Sequence, residues 1–286
     1  MATIRKPPDA AELKELVGKA PDAAAGLAMT TLEAVGSAVM RSLDEFGKYI
    51  WLAIQGLYWA VRPPYRPHLL FKQMEFVGVQ SLSIVMISGT FTGMVFALQS
   101  GNAFAMFGAE GFVGPTVVLA LTLELSPVMS ALMISGRAGS AMAAEIGTMK
   151  VTEQVDALLA MAVNPINYLV SPRIVAGLIM LPVMCMVYNL VGTFGAWLVT
   201  TRVLGYDEGV FIRNVEWYVD TDDIMKGLVK SFVFGFIIAT VGCFKGYYTS
   251  GGAEGVGRAT TQSVVVSSVA VLISDYFLTQ ILLTYF

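Results

Sequence analysis

Long charge-free runs, each bounded by charged residues, organise this chain. No charge occurs between Glu75 and Glu110. A membrane-spanning helix needs ~20 predominantly apolar residues, so the pattern predicts a first span at about 78–101. A second run, from Phe112 to about Glu145, holds Glu124 and Arg137 and is bent by Pro115 and Pro127. A third lies between Arg173 and Arg202, again without charge. The fourth begins with Lys226 and Lys230, read as snorkelling to the interface, and ends at Lys245. The fifth covers about 260–284 and contains Asp275. Between these runs lie a polar loop at 146–171 with one helix in it, an acidic loop at 203–222 and a Gly-rich loop at 246–257.

The segment before the first span has a different pattern. Residues 32–61 are helical in periodicity, but Arg41, Asp44, Glu45 and Lys48 interrupt the apolar positions. Tyr49, Trp51, Tyr58 and Trp59 suit a membrane–water boundary, so an amphipathic interfacial helix is expected. The run Arg62-Pro63-Pro64-Tyr65-Arg66-Pro67 ends it, and a short helix from His68 to Glu75 leads into the membrane. The first 30 residues, rich in Ala, Pro and charge, read as a mobile lead-in. The predicted organisation is therefore a 1–30 lead-in, interfacial helices at 31–75 and a five-span domain at 76–286. The fold class is an all-α integral membrane protein with a further helix between spans two and three.

Composition agrees with the pattern. Of 286 residues, 56% are hydrophobic and 14% charged, against about 25% charged in an ordinary soluble domain. With no apolar h-region near the start, the N-terminus is expected in the cytoplasm. Fourteen of the 18 basic residues then fall on the cytoplasmic side and four on the outer side, as the positive-inside bias requires. Five spans place the C-terminus outside. Cys185 and Cys243 lie in apolar runs and read as core residues. The single histidine, His68, offers no metal cluster, and neither His-Glu-x-x-His nor Gly-x-Ser-x-Gly occurs. A net charge of −3 without a basic stripe excludes nucleic acid as an expected partner. No metal, cofactor or catalytic residue is expected in this chain.

The stretch from Gly136 to Arg173 carries the most chemistry. Thr152 reads as an N-cap and Glu153 as a first-turn acid for a helix at about 150–163. Val151, Val155, Leu158, Leu159 and Ala162 fall on one face, with Glu153, Gln154 and Asp156 on others. Asn164-Pro165 ends the helix. Such a helix either rests on lipid or docks a soluble partner. Glu124 is the most costly residue in the membrane. It is either protonated, hydrated in a cavity, paired across a subunit interface, or hydrogen-bonded near Pro127. Arg137, thirteen residues along the same helix, is ~20 Å away and too far to pair. Phe96, Phe104 and Phe107, at i, i+8 and i+11, share a helical face, either lining a chain-binding pocket or facing lipid. Gly89 and Gly93 allow close helix approach, within or between subunits. Asp275, among Ser267, Ser268, Ser274 and Thr279, is assigned a structural hydrogen bond.

Gly136-Arg137-Ala138-Gly139-Ser140, Glu145-Ile146-Gly147-Thr148-Met149-Lys150 and Thr152-Glu153-Gln154-Val155-Asp156-Ala157-Leu158 resemble the signature of the MlaE/YrbE permeases. Glu124-Leu125-Ser126-Pro127-Val128 and Gly257-Arg258-Ala259-Thr260-Thr261 match it as well. The likeness runs from about residue 68 to the C-terminus. It departs at Leu123, where many such permeases carry an arginine before the glutamate. The resemblance implies the membrane subunit of an ATP-driven ABC transporter moving lipids, chiefly phospholipids, between the two membranes of a bacterial-type envelope. It implies a second copy of the chain as partner, a cytoplasmic ATPase docked on the loop helix and an MCE-domain protein on the outer face. A small cytoplasmic accessory protein completes the implied set, and the location is the inner membrane. Substrate contact is then expected from Phe96, Phe104, Phe107, Leu123 and Glu124. ATPase coupling is expected from Thr152, Glu153, Gln154, Asp156, Leu158 and Leu159. Consistent with a separate ATPase, no Gly-x-x-x-x-Gly-Lys-Ser/Thr occurs. The alternative is an ion-coupled carrier using Glu124, Glu145 and Asp275 as a relay.

Overall fold

The structure is a computed structural model that describes residues 36–37, 39–40, 43–63 and 66–285. The lead-in expected at 1–30 lies outside these. The chain divides into two compact units, Met1–Trp51 and Leu52–Phe286. In the first, residues 43–51 are helical, Leu43, Phe46, Ile50 and Trp51 are exposed, and Lys48 pairs with Asp44 one turn away at 2.6 Å.

The second unit is all-helical among its described residues and contains five helices long and apolar enough to cross a membrane. They are span one (Pro67–Ala105), span two (Glu110–Val151), span three (Ile166–Val203), span four (Thr221–Tyr247) and span five (Gly252–Thr284). Alternation of direction puts the connections at 152–165 and 248–251 on one side and those at 106–109 and 204–220 on the other. Every backbone polar group in hydrocarbon must be satisfied internally, which is why apolar segments of this length fold as helices.

The spans differ in extent from the sequence reading. Span two continues to Val151 and span three starts at Ile166, so the polar loop expected at 146–171 shrinks to 152–165. The Gly-rich loop expected at 246–257 shrinks to a turn at 248–251, with Gly251 and Gly252 at positive φ (93° and 67°) reversing the chain. Glycine alone adopts that geometry without steric cost. The acidic loop is largely a helix, Glu208–Tyr218. Its acids start helices: the Asp207 carboxylate accepts from the Val210 N–H at 2.8 Å, and Asp223 accepts from the Asp220 N–H at 3.3 Å.

Close helix approach holds the bundle together. Span three packs along both span one and span four. A Cβ on Gly93 would sit 1.9 Å from the Gly192 carbonyl oxygen, and one on Gly235 would sit 2.2 Å from that of Gly177. Gly89 faces Tyr188 and Val191 of span three. The small-residue pair on span one thus packs within this chain. In lipid, where apolar burial gives no driving force between helices, such contact surfaces carry association. Span four is the most enclosed of the five and span five the least.

Span one is broken at its start. An α-helix at Pro67–Val77 gives way at Gly78 to a tight turn at Val79–Ser81 before Leu82–Ala105 continues. Arg137 of span two closes this break. It donates to the Phe76 carbonyl at 2.9 Å, to the Ser81 hydroxyl at 2.9 Å and to Gln80 Oε1 at 2.6 Å. A cation at a helix C-terminus satisfies its free carbonyls and opposes its dipole.

Candidate functional site

Span two contains two π-turns, Leu121–Leu125 and Ser135–Gly139. Each holds one of its intramembrane charges, Glu124 or Arg137. A π-turn widens the helix and re-aims the carbonyls around it, and such turns concentrate at functional positions. At the first, the Leu123 carbonyl accepts from Lys230 Nζ at 3.0 Å. The same ammonium donates to Glu124 Oε2 at 2.6 Å and lies 3.2 Å from Asp275 Oδ1. Glu124 Oε1 accepts from the Thr279 hydroxyl at 3.4 Å. One cation on span four is thus shared by carboxylates on spans two and five.

Gly227, one turn before Lys230, makes this possible. A Cβ there would lie 2.3 Å from the Thr122 carbonyl oxygen, so only glycine lets span four press against the π-turn. The Lys230 side chain is 3% exposed, against 44% for Glu124 and 21% for Asp275. The ammonium is buried and neutralised, whereas Glu124 keeps a free edge. This corrects the sequence reading in three places. Lys230 points inward and does not snorkel. Glu124 finds its partner inside its own chain. Asp275 takes part in an ion cluster beyond any hydrogen bond to its own span. The available signal was the coincidence of a lysine and two carboxylates within three apolar runs.

The aromatic residues separate. Phe96 lines a groove of about 400 Å³ with Phe91, Thr92, Val95, Gln99 and Leu125, the residue after Glu124. The helix ends at Ala105, however, and Gly108 turns the chain at φ 62°. Phe107 therefore lies past the helix end, 83% exposed, and the single face proposed for Phe96, Phe104 and Phe107 does not extend to it. Leu123 contributes its carbonyl to the cluster, a role its side chain does not reveal.

On the loop between spans two and three, the helix is Gln154–Ala160, shorter than the expected 150–163. Thr152 is not its N-cap: its hydroxyl donates back to the Thr148 carbonyl at 2.8 Å, within span two. Glu153 precedes the helix in the left-handed region (φ 59°), and Ala162 follows it at φ 57°. Each costs of order 1–3 kcal/mol, which the surrounding structure must offset. Val155 is buried, Leu158 half-buried and Leu159 exposed. Asp156 pairs with Lys150 at 2.9 Å across the turn. Asn164 does not end this helix; its Oδ1 accepts from the Ile166 N–H at 2.9 Å and starts span three.

A second ion pair joins the two spans beneath this loop. Arg173 donates to Glu145 Oε2 at 2.7 Å and to the Leu169 carbonyl at 2.7 Å. The Arg173 side chain is 6% exposed and that of Glu145 47%, so a half-open ion pair forms the base below the loop helix. Among the described residues no group of histidine, cysteine and acidic side chains is arranged to hold a metal ion.

A family model described as permease MlaE matches residues 70–281. The intermembrane phospholipid transport system permease protein MlaE of Haemophilus influenzae is 39% identical over 260 residues, covering 88% of this chain and 97% of that protein. A probable ABC transporter permease protein of Rickettsia bellii is 41% identical over 247 residues, covering 86% of this chain and 95% of that one. The chloroplastic protein trigalactosyldiacylglycerol 1 of Arabidopsis thaliana is 38% identical over 207 residues, 72% of this chain and 59% of that protein. With the matched region spanning all five membrane helices, the chain belongs to the MlaE permease family.

Proposed function

We propose that this chain is the permease subunit of an ATP-driven phospholipid transporter in an inner membrane, working as a homodimer. The observation that carries this reading is Glu124. A carboxylate at mid-span, ion-paired to Lys230 yet with a free edge, sits one residue from an apolar groove. That juxtaposition suits an amphiphile, with acyl chain along Phe96 and Leu125 and polar head near Glu124. Substrate contact is assigned to Phe96, Leu123 and Glu124, with Phe104 at the far end of span one and Phe107 just beyond it. The name of the Haemophilus relative, which covers nearly its whole length, supports phospholipid as the cargo.

ATP is hydrolysed by a separate subunit that docks on Gln154–Ala160. The absence of a phosphate-binding loop here supports a second chain. Glu153, Gln154 and Leu159 are exposed for that contact, Thr152 and Leu158 flank it, and Asp156 is held by Lys150. The Glu145–Arg173 base would carry motion of the docked helix into spans two and three. The basic-residue distribution supports a cytoplasmic loop helix and an outward C-terminus. Residues 31–75 then lie at the cytoplasmic interface, after a lead-in at 1–30. Span five, the least enclosed, is the surface for a second copy, and an MCE-domain protein sits on the outer face. A small accessory protein belongs with the ATPase.

The test is reconstitution of the chain with its ATPase in vesicles holding a fluorescent phospholipid. ATP-dependent lipid transfer that Glu124→Ala and Glu153→Lys each abolish is expected. Transfer driven by a proton or sodium gradient without nucleotide would overturn the reading in favour of an ion-coupled carrier.

A further inference from the structure

A larger groove of about 590 Å³ takes none of its lining from Glu124, Lys230, Asp275 or span five. Its walls are Thr122 of span two, Asn189, Thr193 and Trp197 of span three, and Phe211 and Glu216 of the Glu208–Tyr218 helix. Leu190 and Phe194 on its rim are exposed, as are Ile212 and Trp217 on the helix that roofs it. A groove with such a rim, inside a membrane-spanning segment, opens to the hydrocarbon and not to water.

We propose that this groove is a lateral binding site for one acyl chain of a membrane phospholipid whose headgroup carries an amine. Three features select that occupant. The first is size. A helix of ~10 Å diameter advances 5.4 Å per turn, so ~590 Å³ admits little more than one turn of a protein helix; a single flexible chain fits it. The second is charge. Glu216 stands in the groove wall, with Asp220 and Asp222 exposed just beyond it. Lys226, the nearby cation on span four, is taken by Asp223 at 3.4 Å, and Arg213, the exposed cation three residues before Glu216 on the roofing helix, is not among the lining residues, where Glu216 is. An ammonium group is favoured at that mouth and an anionic headgroup is not. The third is position. The roofing helix exposes Trp217 and Tyr218, residues that settle at the level of lipid headgroups, which places Glu216 at headgroup depth and Thr122 deeper.

The groove also touches the functional cluster through backbone. Thr122 lines it, and the Thr122 carbonyl is the atom against which Gly227 packs. The same π-turn presents Glu124 to Lys230. A chain seated in the groove therefore bears on one side of the turn whose other side holds the ion cluster. The site holds its lipid without nucleotide, so its occupancy is measurable apart from transport.

The experiment uses the full chain in vesicles without ATP, with photoactivatable diazirine-chain phosphatidylethanolamine or phosphatidylglycerol as probe, and maps cross-linked residues by mass spectrometry. Labelling is expected to concentrate at Thr193, Trp197 and Phe211 and to exceed that at Ile179 and Phe232, exposed residues of spans three and four outside both grooves. Thr193→Trp, which fills the groove, should lower it about tenfold. Glu216→Gln, at an exposed position that leaves the fold intact, should remove the preference for the amine-bearing probe without abolishing labelling. Equal labelling of groove and other lipid-facing residues overturns the site. So does labelling unchanged by Thr193→Trp, or cross-linking of these residues to another protein in native membranes. Equal response to both probes with Glu216 intact overturns the headgroup assignment.

Discussion

Lys230 Nζ lies 2.6 Å from Glu124 Oε2 and 3.2 Å from Asp275 Oδ1, joining spans two, four and five at one buried ammonium. The arrangement holds two carboxylates near one another only because the cation is between them. Removing it leaves like charges together; because Glu124 is 44% exposed and partly screened by its surroundings, the cost falls below the about 3–5 kcal/mol of a fully buried pair.

Lys230→Met is therefore expected to lower thermal stability in detergent, by unpairing Asp275, the more buried carboxylate, as well as Glu124. Lys230→Met with Glu124→Gln and Asp275→Asn should recover most of it, since no uncompensated charge remains. A triple variant no more stable than Lys230→Met contradicts the shared-cation account.

Gly227→Ala puts a methyl group 2.3 Å from the Thr122 oxygen. Span four must move away from the π-turn, lengthening the Lys230–Glu124 contact. We expect loss of lipid transfer and a stability loss of about 1–3 kcal/mol, the usual range for overpacking. Gly257→Ala, where a Cβ meets nothing within 4 Å, is the matched control: transfer should persist and stability should hold or rise by up to about 1 kcal/mol.

Arg137→Ala leaves the Phe76 carbonyl and the Ser81 hydroxyl without the donor they now share. Each buried group left unmet costs about 1–3 kcal/mol. Hydrogen exchange should accelerate at residues 76–82, where span one is already broken, and much less in span four.

Glu153→Gly and Glu153→Lys separate backbone from charge. Glycine accepts φ 59° freely, so Glu153→Gly should raise stability by about 0.4–1 kcal/mol. Both variants should weaken copurification of the ATPase, the lysine more. Full binding and full transfer in both would leave the loop helix as a surface feature.

A cysteine at Thr284 is expected to react with a membrane-impermeant reagent from the outer side, and one at Leu159 from the cytoplasmic side. The reverse pattern refutes the orientation.

Five spans, their order and the loop helix were legible in the chain because each rests on local information. An uncharged run of the right length has no alternative in lipid but a helix. The helix ends were less legible. Gly252, Gly255 and Gly257 looked like loop residues, yet span five begins at Gly252, whose left-handed φ of 67° starts the helix straight from the turn, while Gly255 lets the helix pass against the Ser250 carbonyl oxygen. Thr152 looked like a cap for the same kind of reason: its neighbours fitted the pattern, but its hydroxyl serves the preceding helix.

The partners of the intramembrane charges were decided by tertiary structure alone. Burying a charge demands compensation somewhere, so Glu124, Lys230 and Asp275 could be recognised individually as costly. Their meeting depends on the π-turn at Leu121–Leu125 and on Gly227 drawing span four against it, with Glu124 and Lys230 standing 106 positions apart in sequence. Arg137 is the same case, its three acceptors created by a break in span one at Gly78. Hydropathy records the depth of a residue in the membrane; it carries no azimuth. Which side of a helix faces which neighbour is set by packing of the whole bundle, and that is why the chain itself announced the charges and only the fold paired them.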